Sequence, residues 1–201
     1  MAKRPDKSRK IVTAAFKLAA SGGWHDLTLS EIATIAKVPL PELAQLFPTK
    51  SSILATWSRD VDAEVLKLSD AEDLEGESAR DRLFDVLMMR FDTMAPSKEA
   101  LKHIARDMSR DPVALLSLFA PAFQSLGWML EAAGIDSSGL RGALRVRGLA
   151  IIWARVFSIW LEDGEDQART MAELDRRLRQ AEDLLLAVAR LRNSGVQDAA
   201  E

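Results

Sequence analysis

Every strong hydrophobic periodicity in this chain of 201 residues is helical, and no segment alternates apolar and polar residues as a β-strand would. Apolar residues recur at intervals of three or four along nine stretches, which are separated by glycine, proline and short polar turns. Hydrophobic residues make up 48% of the sequence, which is enough for one or two domains with a packed core. The sequence therefore predicts an all-α protein of about nine helices.

The first part of the chain is divided into short helices by strong helix breakers. Two short helices are predicted at 6–21 and 30–37, and a third ends at Phe47 before Pro48. A fourth helix begins after Thr49 and runs to about residue 69. We expect these helices to form a head at residues 1–56, from which the fourth helix continues.

A larger helical body follows an acidic linker at 69–81, the clearest boundary in the chain. Body helices are predicted at 78–94, 97–109, 112–133 with a kink at Pro121, 139–163 and 166–193. We expect a body at 70–193 and a flexible tail at 194–201. The uncharged run 112–130 approaches the length of a membrane span, but Pro121 and several polar residues interrupt it. We therefore expect a cytoplasmic protein without stable membrane insertion.

Charge and residue types narrow the classes of function. Residues 1–60 contain nine Lys or Arg against five Asp or Glu, a net +4, whereas the chain carries −3, which leaves −7 for the rest. A basic front suggests an anionic partner for the head, although five of its cations lie in the first ten residues and also fit a solvated terminus. There is no Cys, there are two His, and no catalytic motif is present. We expect neither an enzyme nor a cofactor or metal site.

A helix-turn-helix pattern lies within residues 28–54. Thr28 and Glu31 have the spacing of a capping box, and Lys37-Val38-Pro39 supplies the turn. Phe47-Pro48-Thr49-Lys50 then separates the second short helix from the long fourth helix. With its apolar positions in register, the stretch 8–56 resembles the TetR family of one-component bacterial regulators. The resemblance implies a DNA-binding dimer, with the helix from about Leu40 to Leu46 in the major groove.

The resemblance also implies a set of DNA contacts, although this chain departs from the usual pattern. Pro39 and Ala44 stand where the family usually has Ser or Thr and Tyr, and no Lys or Arg lies between Val38 and Phe47. Gln45 remains as a reader of adenine edges, while a basic arm at 3–10 could add contacts to the backbone or minor groove. The candidate DNA-binding residues are Lys3, Arg4, Thr28, Pro39, Glu42, Gln45, Thr49 and Lys50.

A second resemblance keeps another function open. Residues 139–190, with Trp160-Leu-Glu-Asp163 and Leu174-Asp-Arg-Arg-Leu178, are similar to the C-terminal domain of TetR-like accessory proteins of ubiquinone biosynthesis. That family binds lipids and has lost the DNA function of its head. The alternative is therefore a lipid-binding accessory protein, although the polar end 193–201 does not suit the membrane-docking helix of that family.

The body combines many Met and aromatic residues with apolar faces on its last two helices. Each large side chain has an ordinary core position as its simplest interpretation, but as a set they suit an adaptable apolar pocket for a small-molecule effector or lipid. The candidate pocket residues are Phe84, Leu87, Met88, Phe91, Phe119, Phe123, Trp128 and Trp153. The last two helices are expected to form a homodimer interface through Leu149, Val156, Leu178 and Leu185.

Overall fold

The computed structural model describes residues 4–69 and 77–197, with side chains for 6–69 and 77–187. Nine α-helices and one 3₁₀ turn account for the regular structure of this part, and no strand occurs in it, so the predicted all-α class is confirmed. The helices are α1 (Arg4–Gly22), α2 (Leu29–Ala36), α3 (Leu40–Leu46), α4 (Lys50–Ser69), α5 (Ala79–Met94), α6 (Lys98–Met108), α7 (Pro112–Ala132), α8 (Gly139–Glu162) and α9 (Ala168–Gln197).

The observed helices differ from the predicted ones mainly at their ends. The two termini differ most: α1 already includes Arg4, and α9 continues to Gln197, past the expected end at 193. The helix at 112–132 is a single element that contains Pro121. Residues 70–76 of the predicted linker and 198–201 of the predicted tail lie outside the described residues.

The head has its own apolar core, built by α1 to α3 and the start of α4. Ile11, Ile32, Leu43 and Ile53 are fully buried there, one from each helix. Ile35, by contrast, is an apolar residue of α2 that is 49% exposed. The buried stripe of α2 follows Ile32, Ala33 and Ala36, which places residue 35 on the outer side of the helix.

The body packs around α5, whose Phe91 is fully buried among aromatic rings. Phe91 stacks on Trp153 with ring centroids 4.6 Å apart and lies 5.4 Å from the ring of Trp160. A buried ion pair between Asp62 and Arg90 joins α4 to α5 in the same region. Because α4 begins in the head and ends in the body, it is the element that links the two cores.

Helix α7 is the one helix in the described part of the chain that is long and apolar enough to cross a membrane by length and composition. Its second half packs into the body, where Leu126, Met129 and Leu130 are buried. Along its first half, by contrast, Val113 is 78% and Leu116 66% exposed. The helix therefore belongs to the body along one half and presents an apolar surface along the other.

Candidate nucleic-acid interface and body cavity

The outer surface of α3 is the candidate reading face of the head. Leu43 is fully buried and anchors the helix, so the residues on the opposite side are exposed. Pro39, Pro41, Ala44 and Gln45 lie on this exposed side, together with Leu40. Gln45 is the member of this face that can exchange paired hydrogen bonds with a base edge. The face is short, mostly apolar and without a positive charge.

Glu42 is paired within the head. Its carboxylate forms an ion pair with the ammonium group of Lys7 on α1, and both side chains are partly exposed. Glu42 is one of the candidate DNA-binding residues, and a free carboxylate there would repel the phosphates. The ion pair offsets that charge and ties α3 to α1.

The two threonines of the site are helix caps. The Thr28 hydroxyl accepts from the Glu31 amide at 3.2 Å, and the Glu31 carboxylate accepts from the Thr28 amide at 2.8 Å, which confirms the predicted capping box. The Thr28 hydroxyl also donates to the Glu31 carboxylate at 2.7 Å, and this bond, with that from the Thr28 amide, lowers the pKa of Glu31. Thr49 accepts from the Ser52 amide at 3.1 Å and caps α4 in the same way. Both residues are exposed, so the remaining free amides at the two helix starts can reach an anion.

Lys50 is engaged in contacts inside the protein. Its ammonium group donates to the carbonyl oxygens of Trp24 and His25, both at 2.8 Å, and lies 5.5 Å from the centre of the Trp24 ring. Partial burial lowers its pKa. From the other side, the Asp107 carboxylate accepts from the amides of the same two residues. Lys50 and Asp107 together hold the loop between α1 and α2.

The basic segment expected to be a free arm is largely helical. From Arg4 onward it forms the first turns of α1, because Pro5 is well tolerated in the first turn of a helix. Lys7 pairs with Glu42, and Lys10 pairs with Asp6 at 3.0 Å. Lys3 and the side chain of Arg4 lie outside the described residues.

The body contains an apolar cavity of about 360 Å³ between α4, α6, α7 and α8. Its walls include Leu54 and Trp57 from α4, Leu101 and Met108 from α6, and Phe157 from α8. Sequence reasoning missed α4 as a wall because it placed the start of this helix entirely in the head. The apolar face of α6 was the signal that could have located the cavity.

The expected pocket residues do not lie together. Leu87 and Phe91 are fully buried in the body core, where Trp153 packs against Phe91. Phe119 is 47% and Trp128 48% exposed on α7. The remaining three residues divide the same way: Phe84 and Met88 are partly buried against the core, and Phe123 is exposed.

Three of the four residues expected at a dimer interface are in the wrong place for that role. Leu149, Val156 and Leu178 are buried within the chain itself, where α8 packs on α7 and α9, and α9 packs on α5. Leu185 is 63% exposed. The apolar residues that α8 exposes are Leu140, Leu144 and Ile151.

Solved structures of TetR-family regulators share this fold. A TetR regulator from Nitrosomonas europaea ATCC 19718 has a TM-score of 0.70 and 22% identity, over 87% of this chain and 97% of its own. One from Rhodococcus sp. RHA1 has a TM-score of 0.64 and 18% identity, over 89% and 97%. Thermus thermophilus FadR, a TetR-family repressor in complex with lauroyl-CoA, has a TM-score of 0.60 and 19% identity, over 86% and 91%. No protein-family model and no curated protein matches the chain.

Proposed function

We propose that this chain, which has the fold of TetR-family transcriptional regulators, is a one-component regulator that binds double-stranded DNA as a homodimer and acts in the cytoplasm. The observation that carries the proposal is the helix-turn-helix unit of α2 and α3. Its two helices are anchored by Ile32 and Leu43, and its outer face is free for the major groove. Gln45 reads a base edge. Thr28 and Thr49, with Lys3 and Arg4, are proposed to contact phosphates, whereas the Lys50 ammonium group is bound by the Trp24 and His25 carbonyl oxygens.

We further propose that an apolar small molecule in the body cavity changes DNA binding. Two residues in the wall of the body cavity lie beside contacts that join the body to the head. Trp57 stacks on Phe16 of α1 with ring centroids 4.8 Å apart, and Met108 directly follows Asp107, which holds the loop before α2. A ligand that moves α4 or α6 would therefore move the head. The complex of Thermus thermophilus FadR with lauroyl-CoA supports the idea that this fold accommodates a long apolar chain.

The homodimer is proposed to form through the exposed stripe of α8. Leu140, Leu144 and Ile151 follow one another at intervals of four and seven residues, so they lie on one side of the helix. Leu185 adds an exposed apolar side chain on α9, which packs against α8. A symmetric pair of such surfaces would present the two heads at the same end of a two-fold axis, as a palindromic DNA site requires.

A lipid-binding accessory protein is the second candidate, and one observation favours it. The first half of α7 exposes Leu116 and Phe119 with no charged residue between Pro112 and Leu130, which suits contact with a lipid or another apolar surface. In that case the exposed face of α3, which has no positive charge, would not bind DNA.

Selection of bound fragments from genomic DNA by the purified protein decides between the two. We expect enrichment of a palindromic site, and loss of that enrichment on replacing Gln45 and Ala44 together by Glu. The matched control replaces Gln180, exposed on α9, by Glu and should leave enrichment unchanged. Recovery of fragments without any shared sequence would contradict the regulator and favour the accessory protein.

A further inference from the structure

A polar groove adjoins the apolar cavity on the outer side of α4. The groove has a volume of about 380 Å³ and runs between α4 and α7. Ala55, Ser58 and Pro121 line both the groove and the cavity, so the two spaces lie side by side along these three residues. An elongated molecule that passes these three residues would have its two ends in different surroundings.

The groove is richer in polar groups than the cavity. Ser58, Arg59 and Asp62 line it from α4, and Gln124 and Ser125 line it from α7. The apolar cavity, by contrast, is lined mainly by aliphatic, aromatic and Met side chains. A ligand that fills both spaces is therefore an amphiphile with its polar end in the groove.

The net charge of the groove indicates which charge the polar group of the ligand should carry. The Asp62 carboxylate is buried and already compensated by Arg90, while Ser125 donates to the same carboxylate oxygen at 2.7 Å. Arg59 is exposed and, among the described residues, forms no ion pair; its guanidinium donates to the Thr56 hydroxyl at 2.8 Å. With Asp62 and Arg90 cancelling, Arg59 leaves the groove with one uncompensated positive charge.

We propose that the effector is an amphiphile with a single carboxylate, whose chain fills the apolar cavity and whose carboxylate binds Arg59. Ser58 and Gln124 lie in the same groove and can donate to the second carboxylate oxygen. This inference rests on the proposed effector cavity and adds the chemical class of the ligand. The buried charge pair behind the groove keeps Asp62 from repelling the carboxylate.

Three probes with the same twelve-carbon chain test the inference on the full-length protein. Dodecanoate, dodecanol and dodecyltrimethylammonium carry an anionic, a neutral and a cationic head, and they are compared by titration of tryptophan fluorescence below their solubility or micelle limits. We expect dodecanoate to bind most tightly and the cationic probe most weakly. Arg59→Gln should weaken dodecanoate about tenfold, as expected for one hydrogen bond to a charged group, and leave dodecanol within about twofold.

Two further variants make the result decisive. Lys67→Gln removes an exposed cation from the same helix outside the groove and should leave all three affinities unchanged. Ala105→Leu narrows the apolar cavity and should weaken dodecanoate and dodecanol alike. Equal binding of dodecanol and dodecanoate, an equal effect of Arg59→Gln on both, or no binding of any probe would overturn the carboxylate inference. The proposed regulator is judged separately, because sequence-specific DNA binding is measured without any probe.

Discussion

The Asp107 carboxylate at the end of α6 accepts a hydrogen bond from the backbone amide of Trp24 at 2.7 Å, joining a wall of the body cavity to the loop in front of α2. The same oxygen accepts from the His25 amide at 2.9 Å, and these bonds lower the pKa of Asp107. Lys50 holds the carbonyl oxygens of the same two loop residues. The position of the helix-turn-helix unit therefore depends on one carboxylate of the body and one ammonium group of α4.

Removing the Asp107 carboxylate should loosen the head without destroying it. We expect Asp107→Ala to lower the free energy of unfolding by about 1 kcal/mol, because two amides lose a charged acceptor. The variant should also respond less to ligand, since α6 no longer holds the loop. Urea denaturation and ligand-dependent release of DNA measure the two effects. Glu99→Ala, an exposed site on α6 whose pairing with Lys102 is local, is the control. A normal ligand response would contradict the role of Asp107.

The buried pair of Asp62 and Arg90 should be strongly coupled. Arg90 also donates to the Ser58 hydroxyl at 3.2 Å and lies 5.3 Å from the Trp153 ring centre, so removing either partner leaves a buried charge. We expect Asp62→Leu or Arg90→Met alone to cost about 3–5 kcal/mol, and the double variant to cost less than the sum. A double-mutant cycle in urea measures the coupling. Additive costs would show that the pair is not coupled.

Glu173 should make the packing of α9 on α8 sensitive to acid. Arg176 and Arg177 on α9 lower its pKa from 4.5 to about 2, and Arg155 on α8 lies 3.5 Å away. Because the folded pKa is the lower one, Glu173 stabilises fully above pH 4.5 and loses its effect as pH falls through about 2.

We therefore expect Glu173→Gln to cost on the order of 1 kcal/mol at neutral pH and progressively less in acid. Urea denaturation across this pH range measures the difference between the variant and the unaltered protein. Glu64→Gln is the control, because Glu64 pairs only with exposed Lys67 at 3.8 Å. A difference that stays constant down to pH 2 would contradict the assignment.

The fold was predictable because local chemistry marks most helix ends. The Thr28–Glu31 capping box, the Lys37 turn and Pro48 can be recognised from the sequence alone. Each starts or ends a helix through contacts within a few residues. The sites were less predictable because they depend on which face of a helix another helix covers. In the sequence, Leu149 and Ile151 are both apolar residues of α8, and this pattern alone does not distinguish them. Only the packing of α8 against α7 and α9 shows that Leu149 is buried and Ile151 exposed.

The proposed dimer surface on α8 leads to a different test mutation from the interface that the sequence predicts. A charge at Leu178 should unfold the chain, since this residue is buried in the body. We expect Ile151→Glu to separate the dimer while leaving the helix content intact, because Ile151 is 75% exposed in a single chain. Sedimentation should change from about twice the monomer mass of 22.2 kDa to that mass. Leu68→Glu on α4 is the matched exposed control. A monomeric unaltered protein would contradict the interface.

Gln45 should carry sequence preference without carrying general affinity for DNA. It is exposed on α3, uncharged, and surrounded by Pro41 and Ala44, so it can read a base edge but adds nothing to phosphate attraction. We expect Gln45→Ala to weaken a selected site by ~1–3 kcal/mol and to leave non-specific binding and its salt dependence unchanged. Titrations of a selected and a scrambled duplex at several salt concentrations measure both terms. Gln180→Ala on α9 should change neither. An equal loss on both duplexes would mean that Gln45 supports the fold of the head and does not read a base, because only a base contact distinguishes the two sequences.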